Sequence, residues 1–225
     1  MKRISILTFI ALFALGLNGQ SLLPTKYGIK AGINIANINS TPNEGIANID
    51  NSTLIGLSAG FYMEIPLTDK WYLNPELLYS QKGSSFKYNY TQDYNNNNRQ
   101  EYSTSNSLSL TYLELNPNFS YKINYKMSLN AGPSFGFLIS KSYEYKQDPI
   151  NQHSLTDGEF KEESIDVGIN YGCSYYLGED FLISLMGYTG FLKTGEINSP
   201  IDIKDEKTSH TIKNNTLVLS LAYLF

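Results

Sequence analysis

The last ten residues constrain this chain more than any other stretch. They run Thr216-Leu217-Val218-Leu219-Ser220-Leu221-Ala222-Tyr223-Leu224-Phe225. Successive side chains of an extended strand point to opposite faces, so Leu217, Leu219, Leu221, Tyr223 and Phe225 share one side. Small or polar residues dominate the other, with Val218 and Leu224 as exceptions. A row of large apolar groups facing water invites edge pairing and aggregation. The same row is stable when it faces lipid and its strand closes a barrel. Phe225 then becomes the end that an assembly machine grasps.

The rest of the chain repeats this alternation. Strands are expected at about 26–37, 54–66, 71–80, 107–122, 127–139, 165–177 and 181–193, with the closing strand after them. In the first, Tyr27, Ile29, Ala31, Ile33 and Ile35 oppose Gly28, Lys30, Gly32, Asn34 and Ala36. In the fourth, Leu108 and Leu110 fall out of phase with Leu113, Leu115, Phe119 and Tyr121, which points to a β-bulge near Thr111 or Tyr112.

The connections alternate in length. Long polar segments at about 38–53, 89–106, 147–161 and 194–208 alternate with short turns at 67–70, 123–126 and 178–180. Outer-membrane barrels combine an even strand count with short periplasmic turns and longer extracellular loops. The expected fold is therefore all-β: an eight-stranded antiparallel up-and-down transmembrane β-barrel with four long extracellular loops and three short periplasmic turns. Closure requires strand eight to pair with strand one over Tyr27 to Ala36.

The two faces indicate which side meets lipid. Eight strands enclose room only for side chains. The less apolar face carries Gly, Ser, Asn and isolated charges, so it suits a filled interior, and the apolar face suits hydrocarbon. Lys30, Glu64, Glu76, Lys82, Glu114 and Asp166 are the expected members of a structural polar network in the lumen. Buried charges must pair, because leaving one unpaired costs several kcal/mol, on the order of 3–5.

Residues 1–20 read as a cleaved secretory signal peptide. Lys2 and Arg3 precede an almost continuous apolar run from Ile4 to Leu17, shorter than the roughly 20 residues of a membrane-spanning helix. The barrel domain is then 21–225. With a net charge of −4 and no basic stripe, nucleic acid is excluded as a partner. The single cysteine, Cys173, cannot form an intrachain disulfide and falls on the apolar side.

Catalytic signatures are sparse. The two histidines, His153 and His210, each adjoin a serine, but neighbouring residues on a strand face opposite ways. No phosphate loop, CxxC or HExxH pattern occurs, so no catalytic, metal or cofactor site is assigned and no enzyme activity is expected. The segment Tyr88 to Tyr102 mixes Tyr with Asn, Gln and Asp, a composition suited to binding sugars or proteins.

Several stretches also resemble the PorT-family outer-membrane β-barrel domain of Bacteroidota. They are Gly28-Ile29-Lys30-Ala31-Gly32-Ile33-Asn34, the run Pro75 to Gly83, Tyr112-Leu113-Glu114-Leu115-Asn116-Pro117, Ala131-Gly132-Pro133 and Phe225. Asn116 is an extra residue before the family's proline. The resemblance implies a small barrel and, from the member that names the family, a part in protein secretion across the outer membrane.

The expected function is a structural, envelope or loop-mediated binding role in the outer membrane. The alternatives are an accessory of a secretion system, a lipid-modifying enzyme and a small-solute channel. The expected partners are outer-membrane lipid and lipopolysaccharide, and the barrel-assembly machinery during insertion. A secretion-system or extracellular partner is left open, and the chain is expected to be a monomer.

Overall fold

The computed structural model describes residues 24–41, 50–93, 99–148, 160–198 and 209–225. The expected signal peptide and His153 lie outside these. The described chain forms ten strands: β1 Lys26–Thr41, β2 Asp50–Pro66, β3 Trp71–Asp93, β4 Arg99–Lys122, β5 Met127–Asp148, β6 Phe160–Glu162, β7 Ile165–Leu177, β8 Phe181–Gly190, β9 Gly195–Asn198 and β10 Ser209–Leu224. Eight of them pair in the order β1-β2-β3-β4-β5-β7-β8-β10, and β10 returns to β1. The closing register runs from Gly28↔Leu224 to Thr41↔Thr211, all antiparallel. The result is a closed eight-stranded barrel with no free edge along its wall.

Local chemistry sets the short turns. Thr68 Oγ1 accepts from the backbone N–H of Trp71 at 3.1 Å. Asn124 Oδ1 accepts from Lys126 N and Met127 N at 2.8 and 2.9 Å. Such side-chain caps replace a backbone partner within a tight reversal. In the third turn Gly178 adopts φ 76°, open to a residue without a Cβ.

Exposure assigns the faces. On β10, Leu219 is 52% exposed while Ser220 is 4% exposed, and the alternation holds from Lys213 to Phe225. Val218 and Leu224, the exceptions to the pattern, are inward positions: Leu224 is buried and Val218 half-buried. Around the barrel the outward set is apolar, including Ile33, Leu57, Phe61, Leu115 and Leu185. One outward residue, Leu73, is itself covered. At the short-turn end Trp71 stacks with Tyr121 at 5.0 Å, and Phe181 with Tyr223 at 5.2 Å. Aromatic rings suit an interface between hydrocarbon and water.

Three expectations need correction. First, β4 does not change phase. Leu108 and Leu110 continue the inward set of Tyr112 and Glu114 and are fully buried. The irregularity expected at Thr111/Tyr112 exists, but its extra residue lies on β5: Thr111 pairs with Ser140 and Tyr112 with Leu138, which leaves Ile139 unpaired.

Second, much of the expected second loop is sheet. β3 and β4 stay in register out to Asp93↔Arg99, and β5 accompanies β4 to Ser103↔Asp148. Polar strands beyond a membrane have the composition of loops, which hid them. Third, the third and fourth long segments contain β6 and β9, which pair with each other, and β9 also pairs with β10. β8 correspondingly stops at Gly190 rather than reaching residue 193.

A second bulge sits on β2. Thr53 pairs with Ser84 and Ser58 with Ser80, so β2 carries one more residue than β3 over this stretch. Gly83 lies opposite this bulge at φ 146°, and a Cβ there would overlap the Leu108 carbonyl oxygen.

Candidate functional site

The barrel interior gathers the charged residues. Lys30, Glu64, Glu76, Lys82, Glu114 and Asp166 are all buried and all occupy inward positions. They form three tiers rather than one continuous network.

In the tier nearest the short turns, Glu64 on β2 accepts from Lys122 Nζ at 2.9 Å and from the Tyr176 hydroxyl. The Lys122 ammonium sits 3.8 Å from the Tyr72 ring centroid and 4.8 Å from that of Tyr176. Aromatic faces stabilise a desolvated cation through their quadrupole. Tyr62, Tyr176, Leu182, Ala222 and Leu224 form the apolar cluster of this end.

In the middle tier, Lys30 Nζ meets Glu76 Oε1 at 2.7 Å. Asn74 donates to the Tyr62 hydroxyl at 2.7 Å, and the Tyr62 ring centroid lies 5.6 Å from the Lys30 ammonium. On the other wall Asn130 donates to Ser174 at 2.8 Å, and Ser174 bonds Ser184 at 2.8 Å.

In the third tier, Lys82 Nζ lies 2.6 Å from Glu114 and 3.7 Å from Asp166. Asn214 donates to Asp166 Oδ2 at 2.9 Å. The Lys82 ammonium rests 3.3 Å from the Tyr188 ring centroid. Leu108 and Leu110 are the inward positions further along β4, so apolar side chains follow this tier.

Glycines open the spans between partners. Gly60 stands directly opposite Lys30 on the intervening strand β2, so no side chain blocks the reach from β1 to Glu76 on β3. Gly136 on β5 stands between Glu114 and Asp166, paired with both. A lumen of this size accepts long lysines only where the strand between presents nothing.

Little space remains. Among the described residues, two inner cavities have volumes of about 30 Å³, beside Lys30, Glu76, Lys82 and Glu114, and about 10 Å³, beside Tyr62 and Asn74. The larger holds roughly one water. Among the described inward residues three lysines, Lys30, Lys82 and Lys122, face four carboxylates, Glu64, Glu76, Glu114 and Asp166. The arrangement can hold the walls at fixed spacing across the described interior.

The alternation puts Tyr62 on the face of Glu64, as observed, but sequence reasoning missed Lys122, Tyr112, Tyr176 and Tyr188. Lys122 shares the even-numbered phase of Glu114 and Ser120, so following that alternation two residues further would have found it. His210 lies in β10, paired in register with Ile197. Among the described residues, no three His, Cys, Asp or Glu side chains are grouped to hold a metal ion.

The strand extensions form the other candidate. β2, β3, β4 and β5 continue as a sheet past the third tier, from Asp50↔Lys87 to Asp93↔Arg99. The β3–β4 register puts Phe86, Tyr88, Tyr90 and Tyr102 at positions of one face. Lys87, Asp93, Arg99 and Glu101 occupy positions of the other.

A family model described as an outer membrane protein beta-barrel domain matches residues 18–194. Among solved structures, the outer membrane protein OprG from Pseudomonas aeruginosa aligns at 11% identity over 89% of this chain and 95% of its own, with TM-score 0.44. The outer membrane protein AlkL, studied in DMPC lipid bilayers, aligns at 12% identity over 92% and 93%, with TM-score 0.45. Ail, the attachment invasion locus protein of Yersinia pestis, aligns at 13% identity over 90% and 100%, with TM-score 0.38. No curated protein matches the chain.

Proposed function

Since the chain belongs to the outer membrane protein beta-barrel domain family, we propose that it is a sealed outer-membrane barrel that works through what it displays beyond the membrane. The observation that carries this reading is the filled interior: three tiers of paired charge, with a cavity of about 30 Å³ beside Lys30, Glu76, Lys82 and Glu114. A barrel so plugged is an anchor. Its short turns, at Leu67–Lys70, Ile123–Lys126 and Gly178–Asp180, face the periplasm by the usual asymmetry of such barrels. The β2–β5 extension then stands outside the cell. Its partner meets a face whose β3–β4 positions are aromatic and uncharged, a surface for stacking and hydrogen bonding.

A hairpin-shortened variant tests this, with a two-residue turn replacing 87–105. The barrel should keep its heat-modifiable gel mobility and lose binding to neutral glycans or surface proteins captured by the intact chain. Unchanged capture by the shortened variant would overturn the reading.

A second reading is favoured by the resemblance of Gly28–Asn34, Pro75–Gly83 and Tyr112–Pro117 to PorT-family barrels: an accessory role in protein secretion. Co-purification of secretion subunits from detergent-solubilised membranes would support it. Normal secretion in a deletion strain would remove it.

A further inference from the structure

The outer wall carries a groove of about 640 Å³ between β1, β10, β8 and β7. Its floor is Gly187, the one position on the outward face of β8 without a side chain. Gly187 pairs with Leu217 on one side and Tyr171 on the other. The Tyr171 ring leans over the glycine, so that a Cβ at 187 would lie 2.8 Å from its ring edge. Leu185, Leu217 and Ile35, each above two-fifths exposed, make the remainder of the floor apolar.

The long-connection end of the groove changes character in register. Thr189, Asn215 and Asn37 are consecutive partners across β8, β10 and β1. The Tyr171 hydroxyl lies 3.4 Å from Thr189 Oγ1. One pair further along, Lys213 on β10 is outward and exposed, opposite Asn39. Leu217, Asn215 and Lys213 therefore rise in steps of roughly 7 Å along one strand. Apolar floor, uncharged donors and acceptors, then an ammonium follow the order of an acyl chain, its ester or amide linkage and a phosphate.

We infer that this groove seats one molecule of a phosphorylated acyl lipid of the outer leaflet, of the lipid A type. Its chain lies over Gly187 and Leu217, its linkage meets Asn215 and Thr189, and its phosphate meets Lys213. Phosphate at an interfacial lysine is a favourable, salt-sensitive contact. The inference rests on the orientation proposed above, because lipid A occupies the outer leaflet.

The test uses the full mature chain in phosphatidylcholine nanodiscs doped with lipid A, released into the gas phase for native mass spectrometry. The parent barrel should keep one lipid A. Lys213→Gln should reduce retention about fivefold, the loss expected for one interfacial charge. Gly187→Leu, whose Cβ meets the movable Tyr171 ring, should abolish it. Gln81→Leu, on the opposite wall, should leave it unchanged. Heat-modifiable mobility of each variant separates loss of lipid from loss of fold. Equal retention by the parent, Lys213→Gln and Gly187→Leu, or replacement of lipid A by phosphatidylcholine without preference, would overturn the inference. Retention in nanodiscs does not depend on which end faces outward, whereas protease protection in whole cells does, so the orientation and the seat fail separately.

Discussion

Lys30 Nζ and Glu76 Oε1 meet at 2.7 Å from strands that are not neighbours, across a glycine that stands between them. Both side chains are almost fully buried. Removing one partner leaves an uncompensated charge in a low-dielectric interior. Lys30→Met should therefore cost about 3–5 kcal/mol in urea unfolding from lipid vesicles. The double variant Lys30→Met, Glu76→Met removes both charges and should recover most of that loss. A double variant as unstable as the single one would show that the pair is not the source of the effect.

Gly83 makes a second, purely conformational prediction. Its φ of 146° and its contact with the Leu108 carbonyl exclude any side chain without movement of the backbone. Gly83→Ala should destabilise the barrel by at least the roughly 1–3 kcal/mol typical of such backbone strain. The bulge beside it is expected to slip, visible as faster amide exchange over 53–58. Parent-like stability and exchange would mean that the β2 bulge absorbs the change without cost.

Leu219 and Ser220 are chain neighbours in opposite environments. Leu219→Arg places a charge on the lipid face and should cost about 2–4 kcal/mol if the site lies near the midplane. That cost should shrink in thinner bilayers, which bring the site closer to headgroups. Ser220→Arg instead overfills the lumen, where even a Cβ added at Gly32 would come within 2.8 Å of Ser220 Cβ. Its penalty should be insensitive to bilayer thickness. Equal thickness dependence for both would contradict the assignment of faces.

Cys173, the single thiol of the chain, is half-buried on the outward wall. In vesicles it should react with a membrane-permeant maleimide and resist a charged, water-soluble one. Rapid labelling by the charged reagent would place this wall in contact with water.

The faces of each strand were legible because a period of two is a local property: Leu217, Leu219 and Leu221 need no knowledge of the rest of the chain. Closure of β10 on β1 was legible for a related reason, since two unpaired edges cannot both stand in lipid. The partnership of Lys82 with Glu114 and Asp166 was not. It depends on register between strands tens of residues apart and on Gly136 lying between the two acids. Leu108 and Leu110 misled because a break in apolar phase points to a bulge within the same strand, whereas here both leucines lie inward and the extra residue is on β5. The β3–β4 extension was hidden because strands leaving the hydrocarbon have no reason to alternate apolar with polar.

Planar-bilayer recording tests the sealed interior most directly. With Lys82 held between Glu114 and Asp166, and Lys30 on Glu76, purified barrel inserted into a lipid bilayer should produce no stable conductance steps. Lys82→Ala together with Glu114→Ala, which empties the third tier, should behave the same or show only brief, irregular leaks, because the Lys30 and Lys122 tiers remain below. Stable, ohmic steps from the parent protein, proportional to the amount inserted, would contradict the sealed barrel and return the chain to the channels.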